Sequence, residues 1–156
     1  MASGDIPMWK PDNVLHEGAE ATVTSGSWLG RQAVLKSRRA RSYRHPDLDR
    51  RLTRQRLAVE ARVLSRLSSV GFPSPKLMFL DQRNSSMLLS RIEGRTLYEL
   101  LKSDESSGEE LFSLGGLIRR LHEIGISHGD LTTHNVMSTE EGELHIIDFG
   151  LSRQSP

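Results

Sequence analysis

The chain has 156 residues, 36% hydrophobic and 26% charged, which suits one domain or two small lobes and excludes a disordered polyelectrolyte. It contains no cysteine, so disulfides and thiolate metal centres are excluded. The net charge of +1 conceals an asymmetry: residues 31–66 hold twelve Lys/Arg against three Asp/Glu, and the remainder holds nine against seventeen. That pattern fits either a phosphate-bearing or acidic partner near the first region or a solvated, Arg-rich helix face. The start, Met1-Ala2-Ser3-Gly4-Asp5, lacks a secretory pattern, and no apolar run approaches a membrane span, so an intracellular location without membrane contact is expected.

In chain order, Asp12 to His16 reads as a first strand and Ala21 to Trp28 as a second, rich in strand-favouring Thr22, Val23 and Thr24. Leu29-Gly30-Arg31 is a hairpin turn, and Gln32 to Ser37 a third strand. Asp47 to Ser69 is a long helix, with Leu52, Val63, Leu64 and Leu67 on one stripe and Pro46 and Gly71 bracketing it. Leu77 to Leu80 and Met87 to Ile92 are two further strands joined by the polar Asp81-Gln82-Arg83-Asn84 turn. Thr96 to Ser103 is a short helix, and Asp104 to Gly108 a polar loop. Glu109 to Ile124 is a second long helix with Leu111, Leu114, Leu117, Ile118 and Leu121 on one face. Asn135 to Ser138 and Leu144 to Ile147 are short strands around Glu140-Glu141-Gly142-Glu143.

The chemistry concentrates in His128-Gly129-Asp130-Leu131-Thr132-Thr133-His134-Asn135 and the later Asp148-Phe149-Gly150. This is the spacing of a kinase catalytic loop and its metal-binding sequel. Asp130 would take or orient a hydroxyl proton. Asn135 and Asp148 are hard oxygen donors suited to Mg²⁺ while leaving room for phosphate oxygens. His128 supports the loop backbone; His16, His45, His122 and His145 have no ligand spacing. Upstream, Lys36 ends the run Ala33-Val34-Leu35 and can set a compact charge against phosphates. Glu60 sits on the apolar stripe of its helix, where a carboxylate needs a partner; Lys36 is preferred over Arg56, one turn away. A three-glycine phosphate loop is missing. His16-Glu17-Gly18-Ala19-Glu20-Ala21 has one glycine, whose turn still lets backbone N–H groups face phosphates.

These segments resemble the small atypical protein kinase family of the KEOPS/EKC tRNA-modification complex, related to the RIO kinases. The resemblance rests on Glu17-Gly18-Ala19-Glu20-Ala21, and on Tyr43-Arg44-His45-Pro46 with Leu48-Asp49 and Arg51-Leu52. It rests further on Glu60-Ala61-Arg62, Ile92-Glu93-Gly94, the His128–Asn135 loop and Ile147-Asp148-Phe149-Gly150-Leu151-Ser152. It implies a kinase-like α+β fold: a small five-stranded antiparallel lobe with one helix (1–93), then a shortened helical lobe (94–156). It implies ATP and Mg²⁺ as cofactors, ATPase activity and Ser/Thr phosphorylation, with Lys36 and Asp130 catalytic. Glu17, Gly18, Ala19, Glu20, Lys36 and Glu60 would serve the nucleotide, and Asn135 and Asp148 the metal. The implied partners are the subunit that makes threonylcarbamoyladenosine in tRNA and a small subunit on the first lobe, with tRNA or a partner near the Arg-rich region 38–66.

Two departures stand out. His134 occupies a position where the family usually has a small residue. The family continues through a helical tail beyond Asp-Phe-Gly-Leu-Ser, so a truncated chain is expected, with the Glu109–Ile124 face partly uncovered. Two other readings follow: a non-catalytic docking module, and a small-molecule phosphotransferase of the aminoglycoside or choline kinase sort. Thr132-Thr133 and the Glu17–Ala21 segment weigh against the latter.

Overall fold

A computed structural model describes residues 6–18, 21–38 and 45–155. Ala19, Glu20, Tyr43 and Arg44, all named above, lie outside the described residues. By its contacts the chain divides into two compact units: residues up to Ala61 with Lys76–Arg91, and Arg62–Pro75 with the residues from Ile92 on.

In the first unit, β1 (Trp9–Glu17), β2 (Ala21–Trp28) and β3 (Arg31–Arg38) precede α1 (Pro46–Ser69), and β4 (Leu77–Asp81) and β5 (Ser86–Ser90) follow it. The sheet order is β1-β2-β3-β5-β4, with every neighbouring pair antiparallel. This is the α+β architecture with a five-stranded antiparallel sheet that the patterns predict. β1 begins three residues earlier than expected and carries Pro11. As an edge strand it tolerates the missing donor, and its pairing with β2 is irregular between Pro11 and Val14 and between Val14 and His16. One sheet face is apolar: Ala33, Leu35 and Leu88 pack with Ile6 and Trp9, and half-buried Trp28 and Met78 join them. Strand alternation sends Lys36 and Arg38 to the opposite face from Ala33 and Leu35.

α1 starts where its sequence says it should. The His45 carbonyl accepts from Asp49 N–H, His45 Nδ1 accepts from Asp47 N–H at 3.2 Å, and Pro46 takes the first turn, where its missing N–H costs nothing. Asp49, Leu57, Glu60, Ala61, Val63, Leu64 and Leu67 are its buried side chains, so its buried side carries two carboxylates, Asp49 and Glu60.

In the second unit, β6 (Gly94–Thr96) leads into α2 (Leu97–Lys102), α3 (Glu109–Ile124) and β7 (Ile126–Ser127). A 3-10 turn, Thr133–Asn135, then precedes β8 (Val136–Thr139), β9 (Leu144–Ile146) and β10 (Arg153–Gln154). β6, β8 and β9 form a three-stranded sheet, and β10 pairs antiparallel with β7. The strands β6, β7 and β10 were not expected from the sequence, because two or three residues are too short to show a period. Thr96 caps α2: its Oγ1 accepts from Glu99 N–H at 3.1 Å and also bonds the Glu99 carboxylate. α3 ends at Gly125, whose φ of 91° lets its N–H turn back to the Leu121 and His122 carbonyls. The core joins Leu97 and Leu100 of α2 to Val136 and Leu144, with Leu114, Leu117 and Leu131 packed against them. The terminal part of α1 and the segment after it belong here: Arg66 Nη2 donates to the Ile124 carbonyl at 2.7 Å, and Ile146 N–H to the Pro73 carbonyl at 3.1 Å. Of the face predicted for α3, Leu121 is buried and Leu114, Leu117 and Ile118 are half-buried. Leu111 is exposed, and the neighbouring Phe112 is 88% exposed. Among the described residues no helix is long and apolar enough to cross a membrane.

Candidate functional site

The first unit contributes a buried ion cluster. Lys36 Nζ lies 3.0 Å from both carboxylate oxygens of Glu60, and Glu60 is 1% exposed. A carboxylate and an ammonium removed from water this fully persist only with matched charge and close geometry. Lys36, the partner preferred from the sequence, does reach this carboxylate, and Arg38 is a second cation there, with Nη2 3.2 Å from Oε1. Arg38 was not singled out from the sequence, yet the signal was present. It stands two residues after Lys36 on one strand and so shares its face. The cluster holds the Lys36 ammonium at a fixed place on the sheet, with one carboxylate serving two cations.

Glu17 ends β1 and is exposed, and Gly18 N–H donates to the Ala21 carbonyl at 2.9 Å. Ala19 and Glu20 lie outside the described residues.

The second unit contributes the catalytic-type loop, organised around His128. That ring is 3% exposed and packs 4.9 Å from the fully buried Phe149 ring. Its Nδ1 accepts from Asp130 N–H at 3.1 Å, so its proton sits on Nε2, which donates to the Ile147 carbonyl at 2.8 Å. One imidazole thereby ties the backbone of Asp130 to the residue before Asp148, as its supporting role predicts. Gly129 has φ of 86°, and a Cβ there would stand 2.1 Å from the Leu151 carbonyl oxygen, so only glycine fits. Leu131 reaches the apolar core and anchors the loop from its other side.

Asp130 is exposed. Asn135 Nδ2 donates to the Asp130 backbone carbonyl at 2.9 Å, Asn135 N–H to the Thr132 carbonyl at 2.9 Å, and the Asn135 carbonyl accepts from Ile147 N–H at 2.9 Å. The amide nitrogen is thus committed inward, and Oδ1 is the atom left to bind a cation. Asp148 is half-buried with φ of 60°, a left-handed conformation that costs a non-glycine residue about 1 kcal/mol or more. Such strain is typical where a side chain is aimed for chemistry. Asn135 offers an amide oxygen and Asp148 a carboxylate, the oxygen types that suit a hard cation such as Mg²⁺. Among the described residues no three His, Cys, Asp or Glu side chains gather into an all-protein metal cage.

The Arg-rich region is narrower in three dimensions than in sequence. Arg38 is buried against Glu60, Arg66 bonds the Ile124 carbonyl, and Arg50 pairs with Asp47. Arg51, Arg54 and Arg62 are exposed along α1.

Fold and site together define a kinase-like chain. It belongs to the lipopolysaccharide kinase (Kdo/WaaP) family, whose model matches residues 17–155. It is 37% identical over 153 residues to the probable bifunctional tRNA threonylcarbamoyladenosine biosynthesis protein of Methanobrevibacter smithii, covering 98% of this chain and 27% of that one. It is 37% identical over 150 residues to the mouse EKC/KEOPS complex subunit Tp53rkb, covering 89% of this chain and 62% of that one. The resemblance read from the sequence is borne out by these relatives, of whose length the chain spans only a part. In fold it is similar to the Rio2 kinase–ADP/Mg²⁺–phosphoaspartate complex from Chaetomium thermophilum, with a TM-score of 0.76 at 19% identity, over 94% of this chain and 49% of that one.

Proposed function

We propose that the chain is an ATP- and Mg²⁺-dependent Ser/Thr protein kinase and ATPase of the KEOPS/EKC type, supporting threonylcarbamoyladenosine formation in tRNA, with residues 1–93 and 94–156 as its two lobes. The observation that carries the reading is the imidazole bridge of His128, which fixes the loop of Asp130 and Asn135 to the strand end that presents Asp148. Names of the relatives and the Rio2 likeness support it.

On this reading Lys36, held by Glu60, would offer its ammonium to the nucleotide phosphates, and the Gly18 backbone N–H lies next to Glu17 in sequence, at the end of the first strand. Asn135 and Asp148 would hold Mg²⁺, which when bound would neutralise charge at the phosphates. Asp130 accepts the proton of a substrate hydroxyl or of water as the new oxygen–phosphorus bond forms and the bond to the departing ADP breaks. The partners would be the threonylcarbamoyl transferase subunit and a small subunit on the first lobe. Exposed Arg51, Arg54 and Arg62 would face RNA phosphates or an acidic protein surface.

The test is ATP–Mg²⁺ binding and phosphate release by the purified chain, alone and with the transferase subunit and tRNA. Asp130→Ala and Asp148→Ala should each abolish turnover. A wild-type chain that takes up no ATP–Mg²⁺, or turnover that survives Asp148→Ala, overturns the reading.

A further inference from the structure

We propose that Tyr98 and His134 form an aromatic clamp that fixes the side chain of Asn135, both acting as positioning residues; the clamp's use in metal binding rests on the phosphoryl-transfer reading. The two rings stack with centroids 4.1 Å apart and planes 23° from parallel. Neither ring is core: Tyr98 is 40% exposed and His134 is exposed. Burial therefore does not explain why they meet.

The two sides of the stack differ in rigidity. Tyr98 projects from α2, which is anchored by the buried Leu97 and Leu100 and capped by Thr96. Lys102, one turn on, places its ammonium 5.7 Å from the Tyr98 ring centroid, where a cation favours the ring face. His134 lies in the three-residue 3-10 turn, which has little internal bonding of its own. That turn is held by Asn135 N–H to the Thr132 carbonyl at 2.9 Å and His134 N–H to Thr132 Oγ1 at 3.3 Å. Asn135 is the next residue, so rotation about the His134 backbone swings its amide away from the Asp130 carbonyl. The stack on α2 opposes that rotation. It carries rigidity from a packed helix to the one amide whose oxygen must point outward.

Two readouts test this in the full chain. The first is hydrogen exchange of the Asn135 side-chain amide in metal-free protein, by NMR. The second is the Mg²⁺ concentration that half-saturates ATP binding. Tyr98→Ala and His134→Ala should each speed the exchange roughly fivefold, the scale of one aromatic pair, and raise the half-saturating Mg²⁺ by a similar factor. His134→Phe, which keeps a stacking ring, should restore both, and the double alanine variant should be no worse than either single one. Unchanged exchange in His134→Ala, or a His134→Phe variant as impaired as His134→Ala, overturns the clamp. If the wild-type chain binds no ATP–Mg²⁺, the phosphoryl-transfer reading falls, while the exchange measurement still decides for or against the clamp.

Discussion

Arg38 places Nη2 3.2 Å from Glu60 Oε1, on the strand face that also carries Lys36, so one buried carboxylate is shared by two cations. The cluster is therefore lopsided. Losing Lys36 leaves Glu60 still paired with Arg38; losing the Glu60 charge removes the carboxylate that both cations share. Glu60→Gln should cost about 3 kcal/mol, in the range for breaking a buried pair, and Lys36→Met about 1 kcal/mol or less. Urea denaturation midpoints would rank them. A Lys36→Met variant less stable than Glu60→Gln would count against the shared-carboxylate account.

Gly129→Ala should be the most damaging small substitution in the loop. The added methyl would meet the Leu151 carbonyl oxygen at 2.1 Å with φ at 86°. Both strain and collision fall on backbone, which cannot turn aside, and a loss of about 3 kcal/mol or more is expected. Thermal unfolding measures it; a variant as stable as wild type would show that the loop and the Leu151 segment do not approach as described.

Asp148 separates stability from chemistry. Asp148→Ala and Asp148→Gly both remove the carboxylate and should both abolish ATP hydrolysis. Glycine adopts φ of 60° without strain, so Asp148→Gly should be more stable than Asp148→Ala by about 1 kcal/mol. Equal midpoints would mean that this residue leaves the left-handed region in solution.

His145 gives the second unit a pH dependence. Burial holds its pKa below the ordinary 6.5, partly opposed by the nearby charge of Glu143, and its buried Nδ1 makes no hydrogen bond among the described residues. The folded chain thus prefers the neutral ring, whereas the unfolded chain takes up a proton near the ordinary value. The stabilising contribution is complete above about pH 6.5 and declines as the pH falls from there through the lower folded value. His145→Gln should flatten the fall in urea midpoint between about pH 7.5 and 5.5. An equally steep fall in that variant would assign the dependence to other groups.

If Arg51 and Arg54 contact RNA phosphates, each should contribute about 0.9 to the slope of log affinity against log salt. Replacing both with Ala should reduce that slope by about 2, measured by tRNA anisotropy across a salt series. An unchanged slope would mean that tRNA phosphates are met elsewhere.

Much of this was legible in the sequence because it repeats or is local. The β2–β3 hairpin, the long amphipathic helices and the Asp130, Asn135, Asp148 series each announce themselves within a few residues. Glu60 was legible because a carboxylate on an apolar stripe demands a partner. What stayed hidden depends on contacts between distant segments. Nothing near Gly129 says that its hydrogen faces the Leu151 carbonyl, nor that Ile126 and Ser127 pair with Gln154 and Arg153. The Tyr98–His134 stack joins residues 36 positions apart, with no period connecting them. Leu111, placed by period on the packed face of α3, is exposed, because helical spacing says which residues share a side but not how far cover extends along it.

The pairing of β7 with β10 has a consequence for the order of assembly. Asp130, Asn135 and Asp148 all lie between these two short strands, so the segment is a loop stitched at its base by Ser127–Arg153 and Ile126–Gln154. Closing such a loop requires chain ends far apart in sequence to meet, a cost that the local β8–β9 hairpin inside it does not carry. The His128 bridge, which joins the two sides of that loop, should therefore form later than the hairpin it encloses.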